Sequence, residues 1–108
     1  MMEEELRKPE ASFEEACRDV ATQIAETVIS KQHDYGHQNI LAFREKGLVV
    51  RLTDKMARLT NLIWNSSSPK NESIDDTFVD IAGYAIIGLM LKNNTFTYEL
   101  QEEKNVED

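Results

Sequence analysis

Apolar residues recur along this chain at intervals of three and four. Phe13, Cys17, Val20, Ile24 and Val28 form one such stripe, which predicts an amphipathic helix running to about residue 32. Ser12 precedes it with Glu15 three places on, the spacing of a capping box, in which each side chain satisfies the other's backbone N–H. Asp19, Gln23, Glu26 and Lys31 fall largely outside the stripe. The pattern breaks at His33-Asp34-Tyr35-Gly36-His37, where Gly36 permits a turn that other residues resist. Gln38 to Glu45 predicts a short helix with Ile40, Leu41 and Phe43 facing inward, ended by Gly47. Val49, Leu52, Met56, Leu59 and Ile63 predict a second long helix from about Leu48 to Trp64, with Arg51, Asp54, Lys55 and Arg58 on its other side.

Residues 65–71 are rich in turn formers and predict a loop. A third long helix is expected from Ile74 or Asp75 to Lys92, with Asp75 and Asp76 in its first turn, where negative charge favours the helix dipole. Its second half is apolar on nearly all sides, the pattern of a helix buried in a bundle or across a subunit interface. Gly83 and Gly88 each cost about 1 kcal/mol of helix propensity relative to Ala, which close approach of a neighbouring helix can offset. Residues 95–100 predict a short strand or turn. The expected organisation is an acidic lead-in over 1–10, one α-helical domain over 11–100 and an acidic tail over 101–108. The fold class is all-α: three long helices with one or two short ones. Three such helices make a thin core, so a homo-oligomer completing a four-helix-type packing is expected.

Composition narrows the function classes. A chain of 108 residues is one domain. Its Lys+Arg count of 12 against Asp+Glu 20 gives a net charge of -8, which disfavours clamping a nucleic-acid backbone, so no direct nucleic-acid binding is expected. The single Cys17 excludes a disulfide framework and a Cys-rich zinc site. The apolar run from Ile81 to Leu91 is well short of the roughly 18 residues a membrane span needs, and residues 1–10 show no secretory pattern. A cytoplasmic protein is the expectation.

Three constellations can carry chemistry. Asp76, Asp80 and Tyr84 lie one turn apart on one helix face, about 6 Å per step. Two carboxylates so placed can share Mg²⁺, with waters and phosphates completing its six positions. The competing reading makes Asp76 a helix-start residue and pairs Asp80 with Arg51 or Arg58. Arg51, Lys55 and Arg58 share one side of the second helix and offer three cations to a polyphosphate. They read equally as a solvated charged face, and Asp54 either joins the metal or pairs with Arg58. In the glycine turn, Tyr35 can lie against a nucleobase and Asp34 can reach a base edge, sugar or metal. The alternative there is a helix end with tyrosine packed on the core. Two histidines separated by a glycine argue against zinc. Ser66 to Ser68 have no histidine nearby in sequence, so no nucleophile constellation appears, and no glycine-rich phosphate loop is present. Trp64 reads as a core or interface residue rather than a stacking platform.

Asp34-Tyr35-Gly36, then Leu52-Thr53-Asp54-Lys55 with Arg58, then Ile74-x-Asp76-x-x-x-Asp80-Ile81 with Tyr84-Ala85, resemble the nucleotide modification associated domain family of bacteriophages and bacteria over roughly residues 30–90. The resemblance implies action on nucleotides or modified DNA precursors, in the host cytoplasm if the gene is a phage's. More distantly, the layout is similar to all-α nucleoside triphosphate pyrophosphohydrolases of the MazG and dimeric dUTPase type. Those enzymes hold Mg²⁺ with Glu-x-x-Glu on one helix and Glu-x-x-Asp on a later one. Asp80 fits the last position of the second motif, but Thr77 stands where its Glu should be, with Asp76 one place earlier. In place of the first motif the second helix carries Asp54-Lys55-x-x-Arg58, basic rather than acidic, and Glu14, Glu15 and Glu26 lack its spacing. About half of the carboxylate cage is missing.

Three functions follow as expectations. In the first, a nucleotide-processing enzyme uses Asp76 and Asp80, with Asp54 or Asp34, to hold Mg²⁺ and direct water at phosphorus. Asp76 and Asp80 are then catalytic, and Asp34, Tyr35, Arg51, Lys55, Arg58 and Tyr84 bind substrate. In the second, the same cations bind a nucleotide or nucleotide-derived signal without catalysis or metal. In the third, the apolar third helix is a protein-interaction surface.

Overall fold

A computed structural model describes residues 11–65 and 71–102 of the chain. Among these residues four α-helices follow in order: α1 Phe13–Tyr35, α2 Gln38–Leu41, α3 Arg44–Thr60 and α4 Asn71–Lys92. One π-helical turn, Asn61–Asn65, extends α3. The fold is all-α, and no strand occurs among the described residues; 95–100 form turns and bends. The expected lead-in over 1–10, the serines at 66–68 and the tail beyond 102 lie outside the described residues. Among the described residues no helix is long and apolar enough to cross a membrane.

The start of α1 follows the capping rule, with Ser12 Oγ accepting from the Glu15 N–H at 3.1 Å. The helix outlasts its apolar stripe and stops only at Gly36. There φ is 72° and ψ is -170°, a region essentially closed to residues with a Cβ. The Gly36 N–H closes the end on the Gln32 carbonyl at 2.7 Å. This corner sends the chain into α2, which buries Ile40.

The second boundary differs from expectation. The short helix ends at Leu41, and α3 begins at Arg44, not at Leu48. The chain turns at Phe43 and Arg44, where Arg44 takes a φ of 50°, so a non-glycine residue carries the left-handed corner. Gly47 lies inside α3 rather than ending a helix. A Cβ there would sit 2.9 Å from the Phe43 Cβ, so the glycine makes room for Phe43 one turn back. Phe43, expected inward, is exposed.

The two outer long helices pack on α4, whereas α1 and α3 share no extensive contact with each other. Register is read from four rungs between α3 and α4: Leu48 beside Gly88, Arg51 over Tyr84, Lys55 on Asp80 and Arg58 on Thr77. Residue numbers rise on one helix as they fall on the other, so the pair is antiparallel. Val28 against Gly83 and Lys31 on Asp80 give the same relation for α1 and α4. Thus α1 and α3 run parallel, one on each side of α4. A Cβ on Gly83 would meet Val28 Cγ2 at 3.2 Å, the close approach expected for that glycine, while Gly88 has ordinary room at 3.6 Å from Leu48.

Ile40, Leu48, Ile87, Leu91 and Phe96 form the core. The stripe on α1 is only half used. Phe13, Cys17 and Val20 are exposed, and burial begins near Ile24. Having crossed α4 at Val28, α1 leaves it, and its first turns project with their apolar side chains uncovered. The apolar α4 is likewise not enclosed on all sides, since Phe78 and Leu89 are exposed.

Candidate functional site

The parallel outer helices leave a cleft of about 380 Å³ above α4. Thr27, Val28, Lys31, Gln32 and Tyr35 of α1 form one wall. Arg51 and Lys55 of α3 form the other, and Asn39 and Ile40 close one end. Val79, Asp80, Gly83, Tyr84 and Ile87 form the floor. The α1 and α4 sets share the spacing i, i+1, i+4, i+5, i+8, which keeps each on one flank of its helix.

Asp80 stands at the centre. Its Oδ1 accepts from Lys31 Nζ at 2.8 Å and its Oδ2 lies 2.8 Å from Lys55 Nζ. One carboxylate on the floor therefore ties both walls. Its side chain is 18% exposed, against 29% for Lys55 and 54% for Lys31. Burial alone would raise the Asp80 pKa, but hydrogen bonds from Lys31 and Lys55, with their charges, hold it below the ordinary 3.8. The hydrogen bond to Asp80 outweighs desolvation at Lys31 and raises its pKa above 10.5. Both shifts favour the charged pair in the folded state. Asp80's contribution to stability is complete above about pH 3.8 and is lost as pH falls through its lower folded value. The Lys31 contribution is complete below about pH 10.5 and is lost as pH rises through its higher folded value. Thermal melts are therefore expected to show acid and alkaline losses that Asp80→Asn diminishes. Equal losses in both proteins would remove the pair from the account.

The Arg51 guanidinium lies 5.9 Å from the Tyr84 ring centroid, within cation–π range, so Arg51 is held beside the lysines rather than spread into solvent. Three cations and one carboxylate give the cleft a formal charge of +2 in a chain of net charge -8. This concentration can draw and hold a phosphate.

Five of the site residues expected from sequence meet here: Tyr35, Arg51, Lys55, Asp80 and Tyr84. Four do not line the cleft. Asp34, Asp54 and Asp76 are exposed and outside it. Arg58 instead donates its Nε–H to Thr77 Oγ1 at 3.3 Å, and the Thr77 hydroxyl in turn donates to the Ser73 carbonyl at 2.6 Å. Thr77 is 1% exposed, so the position where the pyrophosphohydrolase motif carries a carboxylate is here part of the helix packing. Asp80 pairs with lysines from two helices, not with Arg51 or Arg58. Sequence reasoning missed Lys31, Gln32, Asn39 and Thr27 in the lining.

The donor set does not fit Mg²⁺. Among the described residues no group of three or more His, Cys, Asp or Glu side chains could hold a metal ion. Each Asp80 oxygen already faces an ammonium, and Asp76 and Asp54 lie outside the cleft. His37 packs edge-on against Phe96, with ring centroids 4.9 Å apart, which assigns it to the core.

No curated protein and no solved structure matches the chain. The model of the family described as nucleotide modification associated domain 1 matches residues 31–91. That segment opens on Lys31 and holds every lining residue of the cleft except Thr27 and Val28. The match covers more than half of the chain, and the protein belongs to the nucleotide modification associated domain 1 family.

Proposed function

We propose that the cleft binds a nucleotide or a nucleotide-derived phosphate. Lys31, Lys55 and Arg51 take the phosphate, and Tyr35 and Tyr84 frame the base. One observation carries this reading: two lysines from opposite walls converge on a single point of an open cleft. Asp80 holds that point with two oxygens, the same chemistry a phosphoryl group presents, so a phosphate can take over the ammonium groups that Asp80 now orients. The family assignment supports the ligand class. The donor set supports binding without a metal.

Calorimetric titration with deoxynucleoside mono- and triphosphates tests the reading. Binding is expected to be the same with and without a chelator. Lys55→Ala and Arg51→Ala are each expected to weaken it about tenfold or more, the weight of a hydrogen bond to a charged group. Absence of binding to every nucleotide in both conditions would sink the proposal. Pyrophosphate release that depends on Mg²⁺ and on Asp80 would replace it with the pyrophosphohydrolase reading.

Phe13, Val20, Val49, Val50 and Trp64 remain exposed. Of these, Phe13 and Val20 continue with Cys17 along one exposed flank of α1, and apolar surface of this kind marks interaction sites and supports self-association of the chain. Light scattering is expected to give a mass of two or more chains, and a monomer at micromolar concentration would contradict this.

A further inference from the structure

Gln32 is 7% exposed, and its Nε2 is enclosed with no hydrogen-bond partner. An enclosed amide N–H without an acceptor is a standing cost to the fold, and such groups call for an explanation. Its position supplies one. Gln32 lines the cleft beside Lys31, one turn before Tyr35. With Asn39 it makes the uncharged polar end of a cleft whose middle is cationic. Behind it lies a second, mostly apolar cavity of about 280 Å³, and Val28 and Gln32 belong to both linings. Gln32 thus stands between a polar space and an apolar one, next in sequence to the Lys31 of the phosphate point.

We propose that Gln32 reads the base. When a base enters, the side chain turns from its enclosed position, so that Nε2–H donates to a ring acceptor and Oε1 accepts from a neighbouring N–H of the same base edge. This rests on the nucleotide reading of the cleft and adds to it a specificity-determining residue. A side-chain amide offers one donor and one acceptor at a fixed separation, and nucleobases place those partners differently along their edges. An amide on a stem held by burial therefore ranks the bases, while Lys31, Lys55 and Arg51 hold the phosphate whatever the base. Among the described residues one other atom is enclosed and unpartnered, His37 Nδ1; it belongs to a residue of the second cavity and has no part in this reading.

The test compares the unaltered protein with Gln32→Leu, using the four common deoxynucleoside 5′-monophosphates and, as a base-free probe, deoxyribose 5-phosphate. In the unaltered protein the best and worst bases are expected to differ in Kd by about tenfold or more, the weight of one or two buried hydrogen bonds. In Gln32→Leu that ratio should fall toward one, with affinity for the base-free probe unchanged. The variant should melt no lower than the unaltered protein, because an enclosed unpaired amide has been replaced by an apolar group of similar size. A Gln32→Leu protein that keeps the full ratio would make Gln32 structural and overturn the inference, while the nucleotide reading stood. No discrimination in the unaltered protein would also overturn it. If no nucleotide binds at all, the nucleotide reading itself fails and takes the inference with it. Should the leucine variant not fold, Gln32→Asn, which keeps the amide but draws it back by one methylene, must lose the ratio in its place.

Discussion

Replacing Lys31 and Lys55 together with Met is expected to lower the unfolding free energy by about 2–4 kcal/mol. Methionine keeps most of each stem, so packing is little changed and the charges are what is removed. Asp80 is then left on the cleft floor with neither counter-charge, at a site where its side chain is 18% exposed. Breaking a buried pair from one side costs about 3–5 kcal/mol. That figure is discounted here because Lys31 is 54% exposed and exposed pairs are worth about 0.2–1 kcal/mol. Adding Asp80→Leu to the double variant should recover most of the loss, since exchanging a whole ion cluster for apolar groups is often neutral or better. Denaturant unfolding of the series decides the matter. A double variant as stable as the parent would show that the carboxylate does not hold the walls. The same variant leaves only Arg51 and Asp80 charged in the cleft, so its formal charge falls to zero and phosphate binding is expected to disappear.

Gly83→Leu is expected to be nearly as damaging, by about 2–3 kcal/mol, for a steric reason. At Gly83 even a Cβ would sit 3.2 Å from Val28 Cγ2. Alanine therefore gains about 1 kcal/mol of helix propensity and returns much of it through the tightened contact, for a net change near zero. Leucine cannot be fitted without moving α1 away from α4. That movement also pulls Lys31 from Asp80, so nucleotide affinity should fall together with stability. A leucine variant that melts like the parent would mean that the two helices are not in close contact at this point.

The long helices were legible because their apolar residues keep a period of three and four, and the Ser12 cap and Gly36 mark their ends chemically. The corner before α3 was not legible. The chain bends at Arg44, which gives no composition signal, while Gly47, the residue that resembles a stop, serves the packing of Phe43 within the helix. For the site, Asp80 stood out as a charge in an apolar helix, and Arg51 and Lys55 as grouped cations in an acidic chain. Lys31 and Gln32 gave no such signal. They sit on the flank of the α1 stripe, where a residue facing a cleft and one facing bulk water look alike in sequence. Asp76 was drawn in by its spacing from Asp80 along one helix, Asp54 by its place among the cations of another and Asp34 by the glycine turn, but which way a carboxylate faces depends on helices elsewhere in the chain. The partial use of the α1 stripe has the same origin, because periodicity shows that a face is apolar but not how far along it a neighbour extends.

That α1 and α3 share no extensive contact and each packs on α4 has a mechanical consequence. The gap between them is set largely by two crossing angles about a shared axle. A guest that grips both adds a direct brace between them. Its arrival should slow backbone amide exchange along the two rods in concert, including turns it never touches, so that occupancy is registered as stiffness across the whole frame.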